Sequence, residues 1–246
     1  EVLAHRFGID RATADTYAMQ SHHRLAAAQN DGRLADEVMP AFDKDGTVYD
    51  HDDGVRPDSD MEGLAKLNPV FEKPHGKVTA GNSSQITDGA SWVIVASERA
   101  VEAHGLTPLA EITDSEWTAL DPSIMGLGPV LSATPIAQRH GLEVNDIDLW
   151  EMNEAFAAQV LSCVAAWNDE DFCRNVLGYD AAFGRIDRDR LNVDGGAISL
   201  GHPVGTSGNR IVLHLANAMK ARGAKRGIAT ECIGGGLGGA MMLEAV

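Results

Sequence analysis

The stretch Asn192-Val193-Asp194-Gly195-Gly196-Ala197-Ile198-Ser199-Leu200-Gly201-His202-Pro203-Val204-Gly205-Thr206-Ser207-Gly208-Asn209-Arg210 decides how the rest of the chain is read. Four of its first fourteen residues are glycine, and His202 stands between Gly201 and Pro203. Glycine permits turns closed to other residues and proline fixes one backbone angle, so the pattern predicts a sharp turn that holds an imidazole in one place. Ile211, Leu215 and Met219, with Val212 and Ala216 beside them, predict a helix launched from that turn. Working outward, a second glycine cluster, Gly234 to Gly236 with Gly238 and Gly239, follows Cys232, and Asn153-Glu154-Ala155-Phe156 opens a segment of helical spacing. An imidazole, a thiol and a carboxamide, each beside a turn, point to acyl or carbon–carbon bond chemistry rather than to packing.

The neighbouring segments supply a frame. Strands are expected over residues 147–151, 228–231 and 240–244, with helices over 130–140 and 154–167. Strands alternating with helices of this length argue for an α/β layered sheet. Upstream, Asp10 is expected to cap a helix over 11–30 that ends at Gly32. The Asp- and Gly-rich residues 40–60 read as a solvated hairpin; Asp43 to Gly46 lacks the later ligands and terminal Glu of a calcium loop. A short helix follows over 61–67, then an internal strand over 92–97, apolar on both faces, and a helix over 98–104 stopped by Gly105. A boundary falls near 106–108, and 168–190 read as polar and irregular.

With 246 residues, 44% of them hydrophobic and 23% charged, the chain has the composition of a folded globular protein. Its 36 acidic against 20 basic residues leave a net charge of −16, which argues against nucleic acid or an anionic membrane as partner. Cys163, Cys173 and Cys232 form no Cys-x-x-Cys pair, so neither a zinc site nor a disulfide framework is indicated, and a reducing, cytoplasmic setting fits. No apolar run approaches a membrane span, and the first residues form no signal peptide.

The three motifs around Asn153, His202 and Cys232, in this order, resemble the C-terminal half of the thiolases, enzymes that cleave or form 3-ketoacyl-CoA. The resemblance runs over almost the whole chain. It implies a thiolase-like layered fold of helices packed with mixed β-sheets, its N-terminal half incomplete. Residues 1–78 would be the remnant of a loop domain that binds substrate, 79–106 the last strand and helix of the N-terminal domain, and 107–246 the C-terminal domain.

The resemblance also implies roles. His202 would take the proton of a nucleophilic thiol, a task suited to a group titrating near neutral pH, and help hold the thioester oxygen. Cys232 would exchange a proton with the α-carbon of acetyl-CoA, the amide of Gly234 would donate to the acyl-enzyme oxyanion, and Asn153 would orient a water over the thioester oxygen. Ser84, Arg56 and Leu67 would meet coenzyme A, and its phosphates direct attention to the basic residues Arg56, Lys66, Lys73 and Lys77. Coenzyme A and acyl-CoA are implied as substrates, with no permanently bound cofactor and no metal. Gly63 and Gln85 depart from the short-chain biosynthetic pattern, which carries a serine and a glycine there.

No cysteine here matches the family's acylated nucleophile, and Glu1 to His5 resemble the tail of a lid motif cut through its middle. The chain is therefore expected to be a fragment that needs an upstream or partner-chain cysteine and is inactive alone. The expected activity is thiolytic cleavage in fatty-acid β-oxidation, in a homo-oligomer that could include a β-oxidation α-subunit. Two other readings stand beside it: a biosynthetic acetyl-CoA acetyltransferase, which shares the three motifs, and a non-catalytic acyl-CoA-binding or assembly module.

Overall fold

Four consecutive buried residues, Leu149 to Met152, form the strand on which the layers assemble. The computed structural model describes all 246 residues. In chain order the elements are α1 (Val2–Arg6), α2 (Arg11–Asn30), β1 (Ala41–Phe42), β2 (Val48–Tyr49), α3 (Met61–Ala65), α4 (Glu98–His104), β3 (Glu111–Ala119), α5 (Gly128–Arg139), β4 (Leu149–Met152), α6 (Ala157–Asn168), α7 (Glu170–Phe172), α8 (Ala197–Leu200), α9 (Ser207–Arg222), β5 (Arg226–Ile233) and β6 (Leu237–Glu244). β1 and β2 make a small antiparallel hairpin, in which the Asp43 carboxylate accepts from the amides of Asp45 and Thr47. The other strands form one mixed sheet in the order β3-β6-β5-β4, antiparallel except for the β4–β5 pair. The expected α/β class with a mixed sheet holds.

Side chains alternate across a strand, so each face of this sheet needs its own cover. Leu149, Ala229 and Leu243 meet Ile211, Leu215 and Met219 of α9. Trp150, Met152, Ile228, Ala240 and Met242 share the larger core with Val130, Ala133 and Ile136 of α5 and with Val160 and Cys163 of α6. Burial on both sides explains why β4 has no polar alternation. The approach of α5 is close: a Cβ on Gly128 would lie 2.7 Å from the Leu237 carbonyl oxygen and 3.2 Å from the Cys232 Cα. Glycine at that point brings the helix start down onto the β5–β6 hairpin.

Several expectations change. Residues 92–97 form no strand, and Trp92, Ile94 and Val95 are 71%, 92% and 76% exposed. These residues pair with neither edge of the sheet; the outer edge of β4 is met instead by Leu191, which bridges Trp150, and by Asn192, whose amide donates to the Trp150 carbonyl. β3, by contrast, is a strand not expected from the sequence; backbone pairing with β6 makes it one despite the polar side chains of Asp114, Ser115 and Glu116. α6 starts at Ala157 rather than at 154, since Phe156 is extended and bridges Ser83. Within the irregular 168–190 segment, Phe172, Cys173, Leu177, Phe183 and Ile186 are core residues, and Phe183 packs on Trp150, Trp167 and Tyr179. The helix over 11–30 is as expected, with the Asp10 side chain accepting from the Thr13 amide.

Candidate active site

β4 and β5 run parallel, and the ladder between them extends one step beyond β4, where the Asn153 amide donates to the Thr230 carbonyl at 2.9 Å. Asn153 therefore sits at the carboxyl end of β4, and Cys232 two residues past Thr230 on β5. Carboxyl ends of adjacent parallel strands are where layered α/β sheets open to a ligand. The turn before α9 brings His202 to the same place: the Asn153 Nδ2 lies 3.4 Å from Nε2 and 3.5 Å from Nδ1 of the imidazole. Asn153 is fully buried and its Oδ1 has no protein partner. A buried acceptor in that state suits a bound water or a ligand group.

The turn is held from several sides. Gly201 has φ +109°, and a Cβ there would lie 2.4 Å from the Thr87 Oγ1, so the position requires glycine. The His202 amide donates to the Gln85 carbonyl, and the Ser207 Oγ lies 2.6 Å from the His202 Nδ1. Half-burial and the nearby Arg210 guanidinium lower the imidazole's pKa, so its neutral form is favoured at neutral pH. Arg210 in turn pairs with the buried Glu151 at 3.2 Å, and burial raises that carboxyl's pKa to about 7.

Burial, with the Glu231 carboxylate next to it, pushes the Cys232 thiol up to about 12. Such a thiol is protonated at rest. Gly234 begins the turn between β5 and β6; it is exposed, and a Cβ there would meet nothing within 4 Å. Cys163 and Cys173 are buried with raised pKa values, Cys163 on the core-facing side of α6. None of the three is a thiolate poised to attack.

Ser84 lies beside this group, its amide donating to the Ala155 carbonyl at 3.0 Å. The Gln85 side chain, one of the two departures noted in the sequence, donates to the carbonyls of Gly54, Ile198 and Ser199 at 3.0–3.3 Å. It clasps three segments together. Leu67 packs over Gly81, where a Cβ would be 2.5 Å from its Cδ1. Arg56 is exposed, with its backbone amide on His22 Nδ1, and neither it nor Leu67 hydrogen-bonds to the central trio. Of the other basic residues, Lys66 pairs with Glu62 at 2.7 Å and Lys77 stands 3.3 Å from His5. An apolar cavity of about 210 Å³ is bounded in part by Leu3, Phe71, Val78, Met125 and Phe156, and by none of Asn153, His202 and Cys232.

Sequence reading missed the buried scaffold behind the trio. Glu154 accepts from Tyr17, Ser21, Asn192 and the Ile198 amide at 2.7–3.2 Å. Asn192 uses both ends of its amide on Met152, accepting from its N–H at 2.7 Å and donating to its carbonyl at 2.8 Å. These contacts span more than thirty residues of sequence, and only a polar residue inside an otherwise apolar helix start hinted at Glu154.

Comparison with known proteins follows the same line. Residues 106–245 match the family model described as the thiolase C-terminal domain, and residues 1–99 the one for the thiolase N-terminal domain. The chain is 43% identical over 250 residues to a 3-ketoacyl-CoA thiolase of Cronobacter sakazakii, covering 100% of this chain and 61% of that protein. An acetyl-CoA acetyltransferase of Chromobacterium violaceum is 42% identical over 248 residues, covering 99% and 59%. Among solved structures, human mitochondrial 3-ketoacyl-CoA thiolase in complex with CoA superposes with a TM-score of 0.87 at 42% identity, covering 99% of this chain and 57% of that one. The chain spans about three fifths of the length of the curated relatives it matches.

Proposed function

The chain belongs to the thiolase family, and from that premise we propose that it supplies the imidazole, second thiol and carboxamide of a 3-ketoacyl-CoA thiolase. The contact of Asn153 with His202 at the open end of β4, next to the strand that carries Cys232, carries this reading. In the proposed reaction a cysteine thiolate, its proton taken by His202, attacks the ketone carbon of 3-ketoacyl-CoA. Charge on the oxygen is held by backbone amides, Gly234 among them. The carbon–carbon bond breaks, the acetyl-CoA enolate is held by His202 and a water on Asn153 Oδ1, and Cys232 protonates its α-carbon. A thiol raised to about 12 is a proton donor suited to a carbanion-like partner. Coenzyme A then takes the acyl group from the first cysteine.

That first cysteine is not among the three here, whose burial keeps them protonated; it is supplied from outside these 246 residues. Coenzyme A would run past Ser84 and Leu67, with Arg56 near its adenine end, and residues 1–78, 79–106 and 107–246 would act as loop region, N-domain end and C-terminal domain. The solved thiolase bound to CoA supports the ligand class. Gly63 and Gln85, which depart from the short-chain biosynthetic pattern, support a substrate longer than acetoacetyl-CoA and with it the degradative direction. The setting proposed is cytoplasmic and homo-oligomeric. No helix of this chain is long and apolar enough to cross a membrane.

The test is thiolysis of a series of 3-ketoacyl-CoA chain lengths by the chain together with the polypeptide that provides the cysteine. His202→Ala should lower turnover at least about 10²-fold. Turnover on acetoacetyl-CoA alone would move the assignment to the biosynthetic enzyme, and acyl-CoA binding with no thiolysis would leave a binding module.

A further inference from the structure

We infer that Ser207 is a positioning residue for His202, holding the imidazole as the Nδ1–H tautomer so that Nε2 presents its lone pair to the site. The inference rests on the reading of His202 as the base. Its ground is the hydrogen count around one hydroxyl. The Ser207 Oγ is buried at the first turn of α9, 2.6 Å from His202 Nδ1 and 3.3 Å from the Pro203 carbonyl oxygen. A carbonyl cannot donate, so the contact with Pro203 consumes the one hydroxyl hydrogen. The shorter contact then has Nδ1–H as donor and the serine oxygen as acceptor.

The Asn153 Nδ2, which can only donate, lies 3.4 Å from Nε2 and 3.5 Å from Nδ1, so this contact does not choose between the two nitrogens. The consequence of the Ser207 contact is chemical. Only an unprotonated nitrogen accepts the thiol proton, and which nitrogen is free is set by the hydrogen bond the other one makes. When Nε2 takes the proton the ring becomes a cation with two N–H groups, and Ser207 goes on accepting from Nδ1 without rotating. The charged and polar groups facing the ring are Arg210 and Ser207 of α9 and Asn153 at the end of β4. None of these is a carboxylate able to hold Nδ1–H in the serine's place.

Nitrogen NMR of the imidazoles in the 246-residue chain at about pH 8, where histidine is neutral, tests this without any turnover. The His202 signals are identified by their loss in His202→Gln. The expected spectrum has a protonated, pyrrole-type Nδ1 and a pyridine-type Nε2. Ser207→Ala should mix or invert that pattern, and Ser207→Thr, which keeps the hydroxyl, should retain it. In the complete enzyme, Ser207→Ala should lower kcat about tenfold with KM little changed, because substrate contacts are untouched. A wild-type spectrum with Nε2 protonated, or a Ser207→Ala spectrum identical to wild type, overturns the inference. Should Ser207→Ala fail to fold, the wild-type tautomer decides alone. Absence of thiolysis would remove the thiolase reading and leave the tautomer standing, so the two failures are distinct.

Discussion

Cys232 is a thiol whose surroundings work against ionisation. With its pKa raised to about 12 from the ordinary ~8.5, its thiolate fraction near pH 8 falls by roughly 10³. Alkylation by iodoacetamide at pH 8, followed by mass spectrometry, should therefore modify Cys232 at least about 10²-fold more slowly in the native chain than in urea. Modification at the rate of a free cysteine would mean that the site is wetter and the thiol more acidic than this burial implies. His202 differs in kind: half-buried and near Arg210, it is kept neutral rather than kept protonated. One loop thus holds a base ready to accept, and the adjacent strand an acid ready to give.

Among the elements, β4 and α9 meet through a charged pair inside the protein. Glu151 is 2% exposed, and its pKa is raised from about 4.5 in the unfolded chain to about 7. The folded state therefore binds the proton more tightly than the unfolded state does. The associated stability is fully present below about pH 4.5 and is lost as pH rises through about 7. Glu151→Gln should abolish that loss. Its urea-derived stability relative to wild type should improve by about 2 kcal/mol between pH 5 and pH 8. A pH-independent difference would show that Arg210 compensates the charge in full. The seat of α5 on the β5–β6 hairpin is a second test at this scale. Gly128→Ala should cost about 1–3 kcal/mol in urea unfolding, since its methyl group meets backbone rather than a yielding side chain; a neutral substitution would mean that the helix start shifts freely.

For the whole molecule, the exposed run from Trp92 to Val95 matters most. Ile86, Trp92, Ile94 and Val95 are each more than two-thirds exposed, a concentration of apolar surface that favours association. The chain on its own should self-associate as concentration rises in light scattering. The double substitution Ile94→Asp, Val95→Lys should reduce that association while changing unfolding free energy by less than about 0.5 kcal/mol, as expected for side chains with few contacts. Equal association in the variant would place the sticky surface elsewhere, for instance at the edge strand β3, where Trp117 is 71% exposed.

Local pattern determined a good deal. Asp10 and the alanine-rich run set α2, the spacing of Ile211, Leu215 and Met219 set α9, and glycine marked the turns at His202 and after Cys232, because capping, periodicity and backbone freedom act over a few residues. The same pattern singled out Asn153 and His202, which lie in contact. Tertiary structure alone decided the rest. Residues 92–97 have strand character and pair with no strand of the sheet, while Glu111–Ala119 has little and becomes β3 because β6 offers a complete ladder. Glu154 and Asn192, unremarkable in sequence, brace β4 because Tyr17 and Ser21 of α2, the Asn192 amide and the Ile198 N–H converge on Glu154, while Asn192 also bonds both backbone groups of Met152. Strand pairing and buried polar partnership depend on which segments come together in space, and the spacing of residues along the chain carries no record of that.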